Sequence, residues 1–144
     1  PLISPDMFEE FMIPVYRRIV ASARRSGCEN ILLSTYGDTS LLFPTLVEAG
    51  ISMLWISEAA EVPELDYRRI RQAFGSDLGL IGGIPLSVLR SGSPDLIRET
   101  LEDLVPSLLR AGRYVPLASG RVREEVPWSA YRCYREALAD LIGR

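Results

Sequence analysis

The stretch Asn30-Ile31-Leu32-Leu33-Ser34-Thr35-Tyr36-Gly37-Asp38-Thr39-Ser40 decides the fold. An apolar run, Ile31 to Leu33, gives way at Ser34 to small polar residues, a glycine, an acid and two hydroxyl residues. A buried parallel strand reads this way, because both of its faces are covered and it needs no polar side. Asp38, Thr39 and Ser40 then offer side-chain oxygens to the unpaired N–H groups of a following helix. Three further apolar runs repeat the pattern: Ile51 to Ile56 before Ser57-Glu58-Ala59-Ala60, Leu78 to Ile81 before Gly82-Gly83, and Tyr114 to Leu117 before Ala118-Ser119-Gly120-Arg121. Proteins of the α/β class bind ligands at the carboxyl ends of such strands, so the chain reads as strand-to-helix units sharing one functional rim.

Helical periodicity fills the intervals. Ser4-Pro5-Asp6 caps a first helix, with Phe8, Phe11, Met12, Val15, Tyr16, Ile19, Val20 and Ala23 as one core stripe and Gly27 as its stop. Pro14 predicts a kink in it. Leu41 to Ala49 forms a helix closed by Gly50, with Leu42, Leu46 and Val47 inward; Pro63 and Glu64 open the next, with Tyr67, Ile70 and Phe74 on one face. Leu86 to Arg90 is a short helical turn. Ser93-Pro94-Asp95 caps a helix that buries Leu96, Ile97, Leu101, Leu104, Val105, Leu108 and Leu109 up to Gly112, with a second kink at Pro106. Pro116 predicts a short or bulged fourth strand, and the last helix, Pro127 to Leu141, presents Tyr131, Tyr134, Leu138 and Leu141 inward.

Every crossover is helical, so the strands are parallel. The expected fold is a single α/β domain over residues 1–144, one helix followed by four β-α units. Four units cannot close an eight-stranded barrel; a barrel-like architecture makes this a half-barrel whose two sheet edges pair with another segment or a second copy.

Composition removes many chemistries. All 16 basic residues are arginine, and there is neither lysine nor histidine. That excludes Schiff-base chemistry, a P-loop lysine, histidine acid–base catalysis and histidine metal ligands. The net charge of −3 and isoelectric point near 5.1 argue against a nucleic-acid partner, and the Arg-Arg pairs at 17, 24 and 68 read as solvated helix faces. Cys28 and Cys133, far apart, read as free thiols rather than a disulfide or metal site. No apolar run approaches a membrane span and no signal peptide is visible, which makes a cytoplasmic location the expectation. Pro1 in place of methionine points to a chain processed, trimmed or excised from something longer.

Several stretches carry a resemblance: Leu2-Ile3-Ser4-Pro5-Asp6-Met7-Phe8, Pro44-Thr45-Leu46-Val47-Glu48-Ala49-Gly50, Ser57-Glu58-Ala59-Ala60, Leu80-Ile81-Gly82-Gly83-Ile84, and Gly112-Arg113-Tyr114-Val115-Pro116 through Arg121-Val122 to Val126-Pro127. In order and spacing they resemble the C-terminal half of the uroporphyrinogen decarboxylase superfamily, most closely its uncharacterised corrinoid methyltransferase-like branch. The resemblance implies a (β/α)8 TIM barrel and a decarboxylase (lyase) of porphyrin biosynthesis or a methyltransferase. It also implies a tetrapyrrole- or corrinoid-linked substrate, with corrinoid as a methyl carrier. The zinc methyltransferases place histidine and cysteine two apart where this chain has Ser34 and Tyr36, so a zinc site is not supported. Where the family often has an acid then a histidine after the last strand, this chain has Ser119 and Gly120. The decarboxylases' catalytic aspartate and arginine belong to the N-terminal half of the barrel, which the resemblance implies as a partner.

Glu58 and Arg121 are the candidate catalytic residues. Glu58 overlooks the rim as a ligand hydrogen-bonding or acid–base group, against the alternative of a solvated loop carboxylate. Arg121 either holds a substrate carboxylate or phosphate by paired hydrogen bonds or meets Glu124 or Glu125 at the surface. The candidate substrate-binding residues are Tyr36, Gly37, Asp38, Gly82, Gly83 and Ser119. Tyr36 has an aromatic face for a flat ligand, Asp38 reads first as a helix cap, and the glycines permit close backbone approach or simply turn the chain. Trp55 reads as core. A binding or assembly half-barrel without catalysis is the alternative reading.

Overall fold

A computed structural model describes residues 3–57 and 65–143. Four parallel strands, β1 (Leu32–Tyr36), β2 (Met53–Ser57), β3 (Gly79–Ile84) and β4 (Tyr114–Ala118), lie side by side in chain order. The sequential parallel order confirms the expected α/β partial barrel, since each strand is reached by a helical crossover on one side of the sheet. Register runs from Leu32↔Met53 to Tyr36↔Ser57 and from Leu80↔Tyr114 to Ile84↔Ala118, so all four carboxyl ends share one rim.

The first helical stretch consists of α1 (Pro5–Met7), a π turn (Phe8–Met12) and α2 (Ile13–Arg25). Ser4 Oγ caps it by accepting the Met7 N–H at 3.2 Å. The expected disturbance at Pro14 takes the form of that π turn: Pro14 has no N–H to give the preceding turn, and Ile13 N–H bonds instead to the Phe8 carbonyl five residues back. The helix ends at Gly27 in a Schellman arrangement, Cys28 N–H to Ala23 O and Gly27 N–H to Arg24 O, both 3.0 Å. Ile13 and Val20 are buried, but Phe11, Val15 and Ile19 face outward with Met7. The single predicted stripe is therefore two, and the outer one has no cover among the described residues.

A 3-10 turn (Ser40–Leu42) leads into α3 (Phe43–Glu48), which buries Leu42, Phe43 and Leu46. The next helix, α4 (Tyr67–Phe74), is capped by Asp66, whose carboxylate accepts the Arg68 N–H at 2.7 Å; Pro63 and Glu64, expected to open it, lie outside the described residues. β3 extends beyond its predicted end and carries Gly82 and Gly83 within the strand rather than in a turn. Helices α5 (Leu86–Arg90), α6 (Pro94–Ala111) and α7 (Trp128–Leu141) complete the chain. α6 continues through Pro106; the carbonyl that this proline leaves without its helical N–H belongs to exposed Glu102. Leu96 faces solvent while Ile97, Leu101, Leu104, Val105 and Leu108 are buried. Pro116 does not bulge β4, which pairs in full register with β3; it is tolerated because β4 is an edge strand.

The core lies between the helices and one sheet face, where Leu54, Ile56, Leu80, Ile84 and Ala118 meet Phe43, Leu46, Ile97, Leu101 and Leu108. The opposite face is open: Leu32 is 46%, Tyr36 60%, Val115 47% and Leu117 37% exposed. At the amino ends of the strands, Arg71 clamps four carbonyls, of Gly75 (2.6 Å), Leu78 (2.8 Å), Gly112 (2.9 Å) and Arg113 (3.3 Å), tying the entries of β3 and β4 together. Burial and the neighbouring Arg113 lower its pKa. This clamp sits at the end of the sheet opposite the carboxyl rim.

Candidate functional site at the carboxyl rim

Local sequence builds the rim from turns and aromatic hydroxyls. At the end of β1, Gly37 adopts φ +65°, and Asp38 accepts hydrogen bonds from the Ser40 hydroxyl at 2.7 Å and N–H at 3.0 Å. These two bonds hold the Asp38 carboxyl below its usual range. Thr39 is the residue at the cap of the following turn, so Asp38 organises the turn from one position earlier than expected.

Between β2 and β3 the ladder stops at Trp55↔Ile81. The Tyr67 hydroxyl enters there, accepting from Ile56 N–H at 3.2 Å and donating to the Ile81 carbonyl at 2.6 Å. It acts as a wedge that keeps the two strand ends apart. The Tyr114 hydroxyl donates to the Gly82 carbonyl at 2.8 Å, and Ser119 Oγ accepts the Gly83 N–H at 3.0 Å while Ser119 N–H reaches Ile84 O at 2.7 Å. The Gly82–Gly83 peptide is thus held from both sides, with φ of +112° and +90°. A Cβ on Gly82 would meet the Tyr67 hydroxyl at 2.8 Å and Trp55 at 3.2 Å, and one on Gly83 would meet Tyr67 at 3.1 Å and Leu104 at 3.3 Å. Burial raises the pKa of both Tyr67 and Tyr114, which keeps their hydroxyls protonated and able to donate.

The predicted residues therefore fall into groups. Gly82, Gly83 and Ser119 are brought together, but as a buried hydrogen-bonded plate that shapes the rim. Tyr36, Gly37 and Asp38 form an exposed lip at the end of β1. Glu58 lies outside the described residues. Arg121 is exposed in the loop after β4; Glu125, one of the carboxylates expected to meet it, pairs instead with Arg90 at 2.8 Å.

A concavity of the rim lies beside the end of β4, a cavity of about 540 Å³. Its walls are Trp55, Leu117, Trp128 and Tyr131, with Arg123 and Arg135 at its polar side and no carboxylate among the described residues that line it. Trp128 and Tyr131 stack at 5.7 Å between ring centroids, and Tyr131 continues to Tyr134 at 6.1 Å. The Tyr134 phenol is pushed up to about 12, chiefly by burial. Trp55, expected as core, is only half-buried; its indole N–H is buried and has no acceptor among the described residues. Sequence reasoning missed Arg123, Arg135 and Trp128. The available signal was the spacing of Trp128, Tyr131 and Arg135, three and four residues apart and hence neighbours on one helical face.

Among the described residues no cluster of cysteine and acidic side chains has the composition of a metal site. Ser34 and Tyr36 supply only an aliphatic and a phenolic hydroxyl where zinc takes thiolate, imidazole or carboxylate, so these residues do not fit zinc. None of the described helices is long and apolar enough to cross a membrane.

The parallel sheet, with its helices on one side and all four carboxyl ends on one rim, defines a barrel-type α/β protein. The family model for uroporphyrinogen decarboxylase (URO-D) matches residues 1–137, and the chain belongs to that family. It is also similar to the methylated-thiol–coenzyme M methyltransferase of Methanosarcina mazei, 27% identical over 97 residues, which is 67% of this chain and 24% of that protein. The matched part thus spans about a quarter of that relative's length.

Proposed function

We propose that this chain supplies the C-terminal part of a uroporphyrinogen decarboxylase-type barrel and binds a flat, carboxylate-bearing small molecule at its rim, a tetrapyrrole- or corrinoid-linked substrate. The observation that carries this reading is the cavity beside β4, where, among the described residues, an aromatic wall faces two arginines and no acid. Arg123 and Arg135 would pair with carboxylates by charge-assisted hydrogen bonds, and Trp128 and Tyr131 would cover an apolar ring face. Arg121 and Glu58 are proposed to act from the surrounding loops, Arg121 as a second carboxylate contact and Glu58 as the acid–base group. The resemblance to a methyltransferase favours methyl transfer over decarboxylation within the family. A corrinoid would serve as methyl carrier, and the chain's own residues would bind and orient it.

Titration of the full chain with uroporphyrin and, separately, hydroxocobalamin tests this through tryptophan fluorescence, because Trp55 and Trp128 both line the cavity. Quenching by either ligand, weakened roughly tenfold in Arg123→Gln by loss of one charge-assisted bond, supports the reading. The porphyrin arm reports a carboxylate-rich substrate and the cobalamin arm a corrinoid. Binding unaltered by Arg123→Gln and Arg135→Gln together, or absent for both ligands, refutes it. The second reading, a binding half-barrel without catalysis, is favoured by the poor fit of Ser34 and Tyr36 to zinc.

A further inference from the structure

The first helical stretch carries an apolar row that the core does not use. Met7, Phe11, Val15 and Ile19 recur every fourth residue, and all four are exposed, Phe11 by 58% and Ile19 by 55%. In a regular α-helix such a row drifts about 40° at each step. The π turn (Phe8–Met12) winds less per residue, so it takes back part of that drift and holds Met7 and Phe11 in line with Val15 and Ile19. The row also faces away from the sheet. At about 100° per residue, Val15 and Ile19 lie about 200° and about 240° around α2 from Ile13, which belongs to the core. In a β/α ring the helices form the outer layer, so this side of α2 is outer surface whether or not the ring closes.

Charge selects the occupant. Asp6, Glu9 and Glu10 occupy the amino-terminal half of the stretch, and four arginines between Arg17 and Arg25 occupy the other half. Glu9 and Arg24 are engaged within the chain, Glu9 Oε1 accepting from the Thr45 hydroxyl at 3.2 Å and Arg24 donating to the Gly50 carbonyl at 3.3 Å. Glu10 and Arg18 are exposed, and neither makes an ion pair among the described residues. An antiparallel copy of the same stretch sets the acidic end of one against the arginine end of the other. The row is its own complement as well. About a two-fold axis near its middle, Phe11 meets Val15 of the other copy and Met7 meets Ile19, while Glu10 comes beside Arg18. A membrane surface fits less well, because it asks for basic residues along the whole polar flank and Glu10 stands beside Phe11.

We infer that this row is a self-association surface: two copies of the chain pair through antiparallel Met7–Ile19 stretches, with Glu10 of each beside Arg18 of the other at the edge of the contact. One helix pair is a small contact, so the dimer is weak and depends on concentration. None of the residues lining the rim cavity belongs to it.

Sedimentation equilibrium of the full chain from about 1 μM to about 1 mM covers the range in which a contact of this size associates. The expected result is a monomer–dimer equilibrium that Phe11→Asp abolishes. Glu10→Arg and Arg18→Glu each weaken the dimer roughly tenfold by setting like charges side by side, and the two reversals in one chain restore it. All three positions are exposed, so the circular dichroism of every variant stays that of the parent chain. A chain that is monomeric throughout overturns the inference. So does a dimer that survives Phe11→Asp, as one formed through the sheet edges would, or a double reversal no better than either single one. A monomer that binds phosphatidylserine vesicles through Phe11 overturns it in favour of a membrane surface. These readouts involve no rim ligand, so they stand or fall independently of the proposed function.

Discussion

Replacing Tyr67 by phenylalanine removes one oxygen and tests whether the rim is held open by that oxygen. Tyr67 is 3% exposed, and its hydroxyl satisfies Ile56 N–H and the Ile81 carbonyl where the β2–β3 ladder has ended. The phenyl ring keeps its packing against Tyr114, with which it makes an edge contact at 6.4 Å and 72°, so the loss is one of hydrogen bonding alone. Leaving a buried polar group unpaired costs about 1–3 kcal/mol, and two groups are stranded together, so the expected loss is about 2–4 kcal/mol. For a chain of this size that lowers Tm by roughly 5–15 °C. Urea denaturation at neutral pH, followed by circular dichroism, measures the loss, and hydrogen exchange at Ile56 reports whether its amide is freed. A change below about 0.5 kcal/mol, smaller than one net hydrogen bond, would refute the wedge. It would show that β2 and β3 can pair directly once the hydroxyl is gone.

Alkaline pH acts on the same buried phenols. Tyr134 has a folded pKa raised from 10.0 to about 12, so its contribution is fully present below pH 10 and is lost as pH rises from 10.0 towards about 12, where the unfolded chain gives up its proton more readily. Urea midpoints should be flat to about pH 9 and fall above it, and Tyr134→Phe should flatten part of that fall; a midpoint rising with pH would contradict the assignment. Glycine positions separate backbone strain from crowding. Gly37→Ala, with φ +65° and nothing within 4 Å, should cost about 1–2 kcal/mol, whereas Gly83→Ala, with φ +90° and contacts of 3.1–3.3 Å to Tyr67, Leu104 and Tyr114, should cost more, about 2–4 kcal/mol. Equal losses in thermal melts would show that the Gly83 neighbours give way.

Much of this protein follows from local pattern. The apolar runs, the caps at Ser4 and Ser93, the glycine stops at 27 and 50 and the helical crossovers all act over a few residues, and together they require parallel strands with a common carboxyl rim. The family resemblance was carried by segments whose order survives in the chain. Periodicity could not say which of two apolar faces on α2 is buried, because Ile13 and Phe11 are equally apolar and only the neighbouring α3 selects between them. Nor could it distinguish a turn at Gly82–Gly83 from a strand. That required the hydroxyls of Tyr67, Tyr114 and Ser119, from 14 to 36 residues away, to converge on one stretch of backbone. The cavity is tertiary for the same reason: Trp55 and Arg135 are remote in sequence and come to line one cavity only when α7 packs against α5 and α6. Short-range chemistry determined which elements form and in what order. Packing between distant segments decided which side chains are structural, which are exposed, and where a ligand has room.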